Sequence, residues 1–244
     1  MRTFYAIFKK EFRSYFNSPI AYICITVFLV VVNWWFLSLR GFFVLGQASM
    51  RGFFGLMPMM FLFFVPAISM RMWAEEKKLG TMEILMTLPV KDYQVVLGKF
   101  FASFCFLALT VALTFPLIIT VAALGDPDGG PIIGSYLGVL LMGAAYLAIG
   151  LFISSMTENQ VIAFLISMAI IFVLMIIGAD MVLFSVDDFL GGFLVPIFSY
   201  LSLWTHFDSI GRGVIDSRDL IYYFSMTGFF LYLNVRKLET GKWK

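Results

Sequence analysis

The sequence predicts an all-α polytopic membrane protein with six transmembrane helices, an N-terminal interfacial helix and a re-entrant helical hairpin between spans 5 and 6. Of its 244 residues 61% are hydrophobic and only 13% are charged, whereas soluble domains carry about 25% charged residues. Mean hydropathy is +0.94. The apolar runs are continuous rather than alternating, which excludes the strands of an outer-membrane barrel. We expect one transmembrane domain over residues 1–244, without a separate soluble domain.

Six apolar runs approach the length of about 20 residues that a membrane-spanning helix needs. The sixth run is short, so we expect it to gain length from the residues before it or from neighbouring protein. The predicted spans are Pro19–Leu39, Gly52–Met70, Phe100–Ala123, Ile132–Ile153, Val161–Phe184 and Leu220–Leu233.

The distribution of the 17 Lys and Arg residues predicts the orientation of these spans. With both termini in the cytoplasm, 13 of them lie inside and four outside. Because cytoplasmic loops carry an excess of Lys and Arg, we expect cytoplasmic N- and C-termini. The turn Gly125–Pro131 would then face outside, and the short turn Ser154–Gln160 would face inside.

Residues 1–18 are predicted to form a helix in the membrane interface. Aromatic residues recur every four positions and basic residues occupy the other face, which is typical of interfacial helices. The alternative is an N-terminal extension of span 1, but Pro19 disfavours a continuous helix there. The residues concerned are Phe4, Phe8, Phe12 and Phe16 on the aromatic face, and Lys9, Lys10 and Arg13 on the basic face.

Residues 185–219 are predicted to form an extracytoplasmic re-entrant hairpin. Within them, Phe189–Trp204 is almost wholly apolar, yet Gly191, Gly192 and Pro196 interrupt it. Such a segment is too short and too broken for a regular span, and it is tolerated at membrane depth only when it packs against protein.

Several kinds of chemistry have no support in the sequence. The chain has no GxxxxGK[ST] phosphate-binding loop, so we expect no ATPase activity of its own. It shows no metal-binding motif and no nucleophile–base pair, so we expect no catalytic residue, metal or cofactor. His206, the only histidine, is interpreted as an interfacial polar residue. Asp180 is the only ionisable candidate within the spans, which gives an ion-coupled carrier little support.

The segment Arg71–Lys99 is the longest polar island in the chain and carries five basic and four acidic residues. Gly80 suits the end of one helix and Thr81 the N-cap of the next. Glu83 then lies in the first turn, where the helix dipole favours an acid. We expect a short surface helix that ends at Pro89, with an apolar tip formed by Met82, Leu85 and Met86.

The amino-acid sequence of this island, together with the six predicted spans, resembles the membrane subunit of ABC-2 type ABC transporters. The matching residues are Glu75, Glu76, Gly80, Thr81, Glu83, Leu85, Pro89 and Val90, followed by Gly98-Lys99. Family members often have Ser where this chain has Lys91, so Asp92 is the nearest capping residue. The short chain and the stretch Arg212–Asp219 look most like the permeases associated with gliding motility.

The resemblance implies that residues 71–99 are a cytoplasmic coupling region that docks into an ATP-binding cassette ATPase. ATP and Mg²⁺ would be bound by that partner. A second permease copy, or a related permease, would complete the translocation path in the bacterial inner membrane, in contact with lipid and without nucleic acid. The expected function is export of a lipidic or amphipathic substrate. Two alternatives stay open: a mechanotransmitting subunit that moves no cargo, and an ion-coupled carrier.

Overall fold

The computed structural model describes residues 2–39, 49–87, 90–190, 192, 194–213 and 216–241. These residues are helical apart from the turns between helices, and they contain no strand. The α-helices are α1 (Arg2–Phe16), α2 (Pro19–Trp34), α3 (Arg51–Phe54), α4 (Met57–Ser69), α5 (Arg71–Lys78), α6 (Thr81–Thr87), α7 (Asp92–Ala112), α8 (Phe115–Leu124), α9 (Gly129–Ser154), α10 (Gln160–Ile176), α11 (Asp180–Leu190), α12 (Val195–Leu201), α13 (Leu203–Gly211) and α14 (Ser217–Gly241). A π-helical segment, Trp35–Leu39, continues α2.

The long helix α9 lies at the centre of the bundle and packs against α4, α7, α10, α13 and α14. Its glycines make this possible, because small residues let neighbouring helix backbones approach closely. A Cβ atom on Gly134 would lie 2.8 Å from the Ile210 carbonyl oxygen of α13, and one on Gly150 would lie 2.0 Å from Ser69 Oγ of α4. The core of the protein therefore surrounds α9.

In the described part of the chain, four helical segments are long and apolar enough to cross a membrane: Ala21–Ser38, Arg51–Lys78, Asp92–Leu124 and Gly129–Ser154. Each contains most of one of the first four predicted spans. The second and third extend beyond the predicted bounds, since α5 continues α4 and α7 begins eight residues before Phe100. The chain is a multi-pass membrane protein.

The predicted fifth and sixth spans differ from the structure in length. Span 5 was expected to run to Phe184, but α10 ends at Ile176 and the chain turns before α11. Gly178 allows this turn to press against α13, because a Cβ atom there would lie 2.4 Å from Ser202 Cβ. The predicted sixth span lies within α14, which covers 25 residues but is not among the four segments above. The count of six spans therefore stays a prediction.

The region predicted as a re-entrant hairpin divides into α11, α12 and α13. Helix α13 packs against α9, α10 and α14, so it lies among other helices as a non-spanning segment must. Gly191 and Phe193 lie outside the described residues. The hairpin itself stays a prediction.

Helix α1 packs lengthwise against α7, and its aromatic face is shared between α7 and the outside of the bundle. Phe4, Phe8, Phe12 and Phe16 are each half-buried. The Phe4 ring contacts Phe101 edge-on at 6.0 Å, and Phe16 contacts Phe106 at 6.2 Å. The expectation that these aromatic rings lie among lipids is therefore wrong in part, because α7 covers one side of them. Lys9, Lys10 and Arg13 are exposed, as predicted.

Replacing Gly150 with Ala tests the close packing of α9 on α4. The added methyl group overlaps Ser69, so we expect a loss of about 1–3 kcal/mol in the free energy of unfolding. The matched control is Gly228→Ala in α14, where an added Cβ meets nothing within 4 Å and helix propensity gains up to about 1 kcal/mol. Thermal unfolding of the purified chain in detergent measures both. Equal melting temperatures for the two variants would contradict the packing.

Candidate functional site

The most unusual group in the polar region 71–99 is Lys99, whose side chain is only 1% exposed. Its ammonium group lies 2.8 Å from Glu76 Oε1 and 3.2 Å from Glu11 Oε1. It also donates to the Met72 carbonyl oxygen at 2.9 Å, and it lies 4.8 Å from the centre of the Trp73 ring. The ammonium group thus has two hydrogen-bond acceptors, Glu11 and Met72, and forms an ion pair with Glu76. We call Lys99, Glu11 and Glu76 the Lys99 cluster.

The Lys99 cluster joins three helices that are far apart in sequence: α1 through Glu11, α5 through Glu76 and α7 through Lys99. Its assembly depends on the residue before the lysine. A Cβ atom on Gly98 would lie 2.8 Å from Ile7 Cγ2, so only glycine lets α1 approach α7 this closely. The exposed Lys10 lies 3.8 Å from Glu76 Oε1 and adds positive charge at the rim.

Tyr15 lies beside the Lys99 cluster and lines the same pocket as its three members. Its ring stacks on Phe106 with centroids 4.6 Å apart. Burial raises the pKa of Tyr15 well above its ordinary value, and the negative charge of Glu11 raises it further. The tyrosine is therefore neutral at physiological pH, and the charges of this region belong to the carboxylates and the basic groups.

A second contact fixes α5 to the end of α9. The first amides of a helix lack intrahelical partners, and here Trp73 N and Ala74 N both donate to Ser154 Oγ at 3.1 Å. The Ser154 hydroxyl in turn donates to the Met70 carbonyl oxygen at 2.9 Å. Lys77 donates to the Ser155 carbonyl oxygen at 2.6 Å, at the other helix end. The break between α4 and α5 is thus held by α9.

A third contact ties α5 to the junction of α1 and α2. The Arg71 guanidinium donates to Glu75 Oε2 at 3.0 Å and to Ser18 Oγ at 3.1 Å. Ser18 is the N-cap residue of α2 and has extended backbone geometry. Polar groups therefore bond α5 both to the end of α9 and to the junction of α1 and α2.

Helix α6 projects from this fixed base. Gly80 has φ +70°, the left-handed conformation that glycine adopts at a helix end. Thr81 is the first helical residue, and its hydroxyl donates back to the Glu76 carbonyl oxygen at 3.3 Å. The predicted N-cap role of Thr81 is thus displaced by one residue. Glu83 lies in the first turn and is exposed, as expected.

The apolar tip of α6 differs from the prediction. Ile84 is 66% exposed and Leu79, just before the turn, is 67% exposed. Met82 and Leu85 are instead half-buried and pack against the hydrophobic core. The Met86 side chain and Pro89 lie outside the described residues. The exposed surface at α6 and the turn before it therefore includes Leu79, Glu83 and Ile84.

Glu75 and Glu76 were predicted to belong to this region, but the pairing of Lys99 with Glu76 and Glu11 was not predicted. A signal was present, because Glu11 is the only acidic residue in the basic helix α1. Asp92, expected as a helix cap, lies in the first turn of α7, and the N-cap position is Lys91. Among the described residues, no group of three His, Cys, Asp or Glu side chains could hold a metal ion.

The interpretation of His206 as an interfacial residue is wrong. The side chain is buried, with Nδ1 2.6 Å from Asp219 Oδ1 and Nε2 2.9 Å from the Tyr200 carbonyl oxygen. Its ring stacks on Tyr222 at 3.9 Å. Gly213, with φ +89°, reverses the chain between α13 and α14 and brings these groups together. The cluster fixes α13 to α14 far from α6.

The chain matches a protein-family model. The family model described as ABC-2 family transporter protein matches residues 38–233, which is most of the chain and includes α6, Lys99 and the His206 cluster. No curated protein gives a significant match to the sequence.

Removing the Lys99 ammonium group tests the Lys99 cluster. In Lys99→Met two carboxylates lose their buried partner, so we expect a loss of about 3–5 kcal/mol in stability. The control is Lys78→Met, since Lys78 is exposed and has no ion pair among the described residues. Thermal unfolding in detergent compares the two variants. An unchanged melting temperature for Lys99→Met would rule out the structural role of the cluster.

Proposed function

Because the chain belongs to the ABC-2 family of transporter proteins, we propose that it is the permease subunit of an ATP-binding cassette transporter. Separate ATPase subunits bind ATP and Mg²⁺ and supply the energy. Two permease copies, or one copy and a related permease, form the translocation path. The protein lies in the bacterial inner membrane with both termini in the cytoplasm, as the distribution of Lys and Arg favours.

The observation that carries this proposal is the exposed helix α6 on a base that is fixed by buried polar contacts. Leu79 and Ile84 expose apolar side chains beside the carboxylate of Glu83. An exposed apolar surface with a polar rim is typical of a protein-binding site. We infer that α6 is the coupling helix and that these three residues contact the ATPase.

The contacts behind α6 explain how movement of the ATPase would reach the spans. Separating Lys99 from Glu76 and Glu11 would leave buried charges unpaired, at a cost of several kcal/mol. Helices α1, α5 and α7 therefore move together rather than slide past one another. The Ser154 hydroxyl adds the end of α9 to the same unit. A displacement of α6 is thus passed to spans 2, 3 and 4.

The cargo we propose is a lipidic or amphipathic molecule that is exported. This choice rests on the apolar, Phe-rich spans and on the resemblance stated above. The closer assignment to permeases of gliding motility rests only on chain length and the stretch Arg212–Asp219, and a functional test of that link is loss of surface movement after deletion of the gene.

Affinity purification of the full chain from its native membrane tests the function directly. We expect an ATP-binding subunit to co-purify, identified by mass spectrometry, and the complex to hydrolyse ATP. If no ATP-binding protein co-purifies under conditions that keep the permease folded, the proposed function is wrong.

Changing Glu83 to Lys tests the role of α6 in docking. The substitution reverses an exposed charge in the first turn while it keeps the Gly80-Thr81 break, so the fold should be unchanged. Placing a cation near the helix N-terminus costs only about 0.3–1 kcal/mol. We expect much less ATPase to co-purify with this variant, at an unchanged melting temperature.

The matched control for this test is Glu158→Lys, an equal charge reversal at an exposed residue of the Ser154–Gln160 turn. That turn faces the same side of the membrane in the predicted topology. Equal co-purification of wild type, Glu83→Lys and Glu158→Lys would show that α6 does not contact the ATPase through Glu83.

A further inference from the structure

Two adjoining cavities lie at the end of the bundle opposite to the Lys99 cluster. The first has a volume of about 370 Å³ and the second about 470 Å³, and Arg51, Phe54 and Ser135 line both. These volumes are in the range of small-molecule sites, about 300–1,000 Å³. Arg51 begins the segment Arg51–Lys78, whose other end carries Glu76 of the Lys99 cluster.

The first cavity carries charges of both signs. Arg51 is exposed, and its guanidinium has no hydrogen bond or ion pair among the described residues. Asp126 and Asp128 line the same cavity. One oxygen of Asp128 accepts a hydrogen bond from Gly130 N at 3.2 Å and so caps α9. No ion pair joins Arg51 to either carboxylate in the described part of the chain, so each sign of charge is open to a ligand.

The second cavity is aromatic. Phe54 and Phe207 are both 4% exposed and Trp204 is 38% exposed, and all three line it. Its other charged residues neutralise each other, because Arg212 donates to Asp208 Oδ2 at 2.6 Å and 3.2 Å. The first cavity is therefore lined by charged groups that are unpaired among the described residues, and the adjoining second cavity is lined by the three aromatic side chains.

We propose that these cavities bind an amphipathic lipid with a zwitterionic headgroup that contains a phosphate diester and a primary ammonium, as in phosphatidylethanolamine. Arg51 binds the phosphate, since guanidinium and phosphate form strong charge-assisted hydrogen bonds. Asp126 and Asp128 accept hydrogen bonds from the ammonium group. The first part of an acyl chain lies against Phe54, Trp204 and Phe207.

Charge complementarity selects this class of headgroup. A headgroup that is only anionic would bring its charge close to Asp126 and Asp128, and one that is only cationic would face Arg51. A quaternary ammonium has no N–H group to donate to the carboxylates. An uncharged lipid would form no ion pair with Arg51 or with either carboxylate, so it lacks the charge-assisted hydrogen bonds of the proposed ligand.

Interpreting the bound lipid as cargo rests on the proposed function, but the binding site does not require the ATPase. The test therefore uses the full permease chain alone, in detergent, with native mass spectrometry. The probes are dioleoyl-phosphatidylethanolamine, dioleoyl-phosphatidylglycerol and dioleoylglycerol, which share their acyl chains and differ in the headgroup. Failure of this test leaves co-purification of the ATPase unaffected, and failure of co-purification leaves lipid binding measurable.

We expect wild type to retain phosphatidylethanolamine in preference to the other two lipids. Arg51→Gln should weaken binding of both phosphate-containing lipids about tenfold, the effect of losing one charged hydrogen bond. Arg218→Gln is the matched control, since Arg218 is exposed and lines neither cavity. Asp126→Asn should weaken phosphatidylethanolamine but not phosphatidylglycerol. Melting temperatures verify that each variant is folded.

Two results would overturn the proposal. One is equal retention of phosphatidylethanolamine by wild type, Arg51→Gln and Arg218→Gln. The other is equal retention of dioleoylglycerol and phosphatidylethanolamine by wild type, which would show that only the acyl chains are bound. If Asp126→Asn leaves the preference between the two phospholipids unchanged, the assignment of the ammonium group is wrong.

Discussion

The arrangement of this protein at one end of its bundle depends on the burial of a single ammonium group. Lys99 is almost wholly removed from solvent, and a charge in such a place requires acceptors for its protons. Glu11 of α1, and Glu76 and the Met72 carbonyl oxygen of α5, surround it. The position of α1 against α7, the path of α5 and the base of α6 all follow from meeting this requirement.

The parts of this structure that the sequence predicts are those governed by local signals. The polar turn at Gly80, the break at Pro19 and the first four apolar spans can each be recognised from a few neighbouring residues. The Lys99 cluster could not, because its members come from three helices that meet only in the folded bundle, in part through the close contact of α1 with Gly98. The buried pair His206 and Asp219 likewise depends on the reversal at Gly213.

Helix ends that are predicted from hydrophobicity alone also differ from the structure. The apolar run of span 5 continues through Ile177, but the close contact of Gly178 with Ser202 turns the chain there. The apolar residues of α6 gave the wrong exposed surface for a related reason. Met82 and Leu85 are drawn into the core, and the side of a short helix that faces solvent is decided by what lies beneath it.

The interruption of span 2 at Met70 has a mechanical consequence. A continuous 28-residue rod would transmit any tilt of one end to the other in proportion, like a rigid lever. Here α4 and α5 meet at Met70. The Ser154 hydroxyl of α9 donates to the Met70 carbonyl oxygen and accepts hydrogen bonds from two amides of α5. Because Met70 keeps a helical backbone, a tilt of α5 passes to α4 along the chain, and the hydrogen bonds to Ser154 pass it to α9 as well.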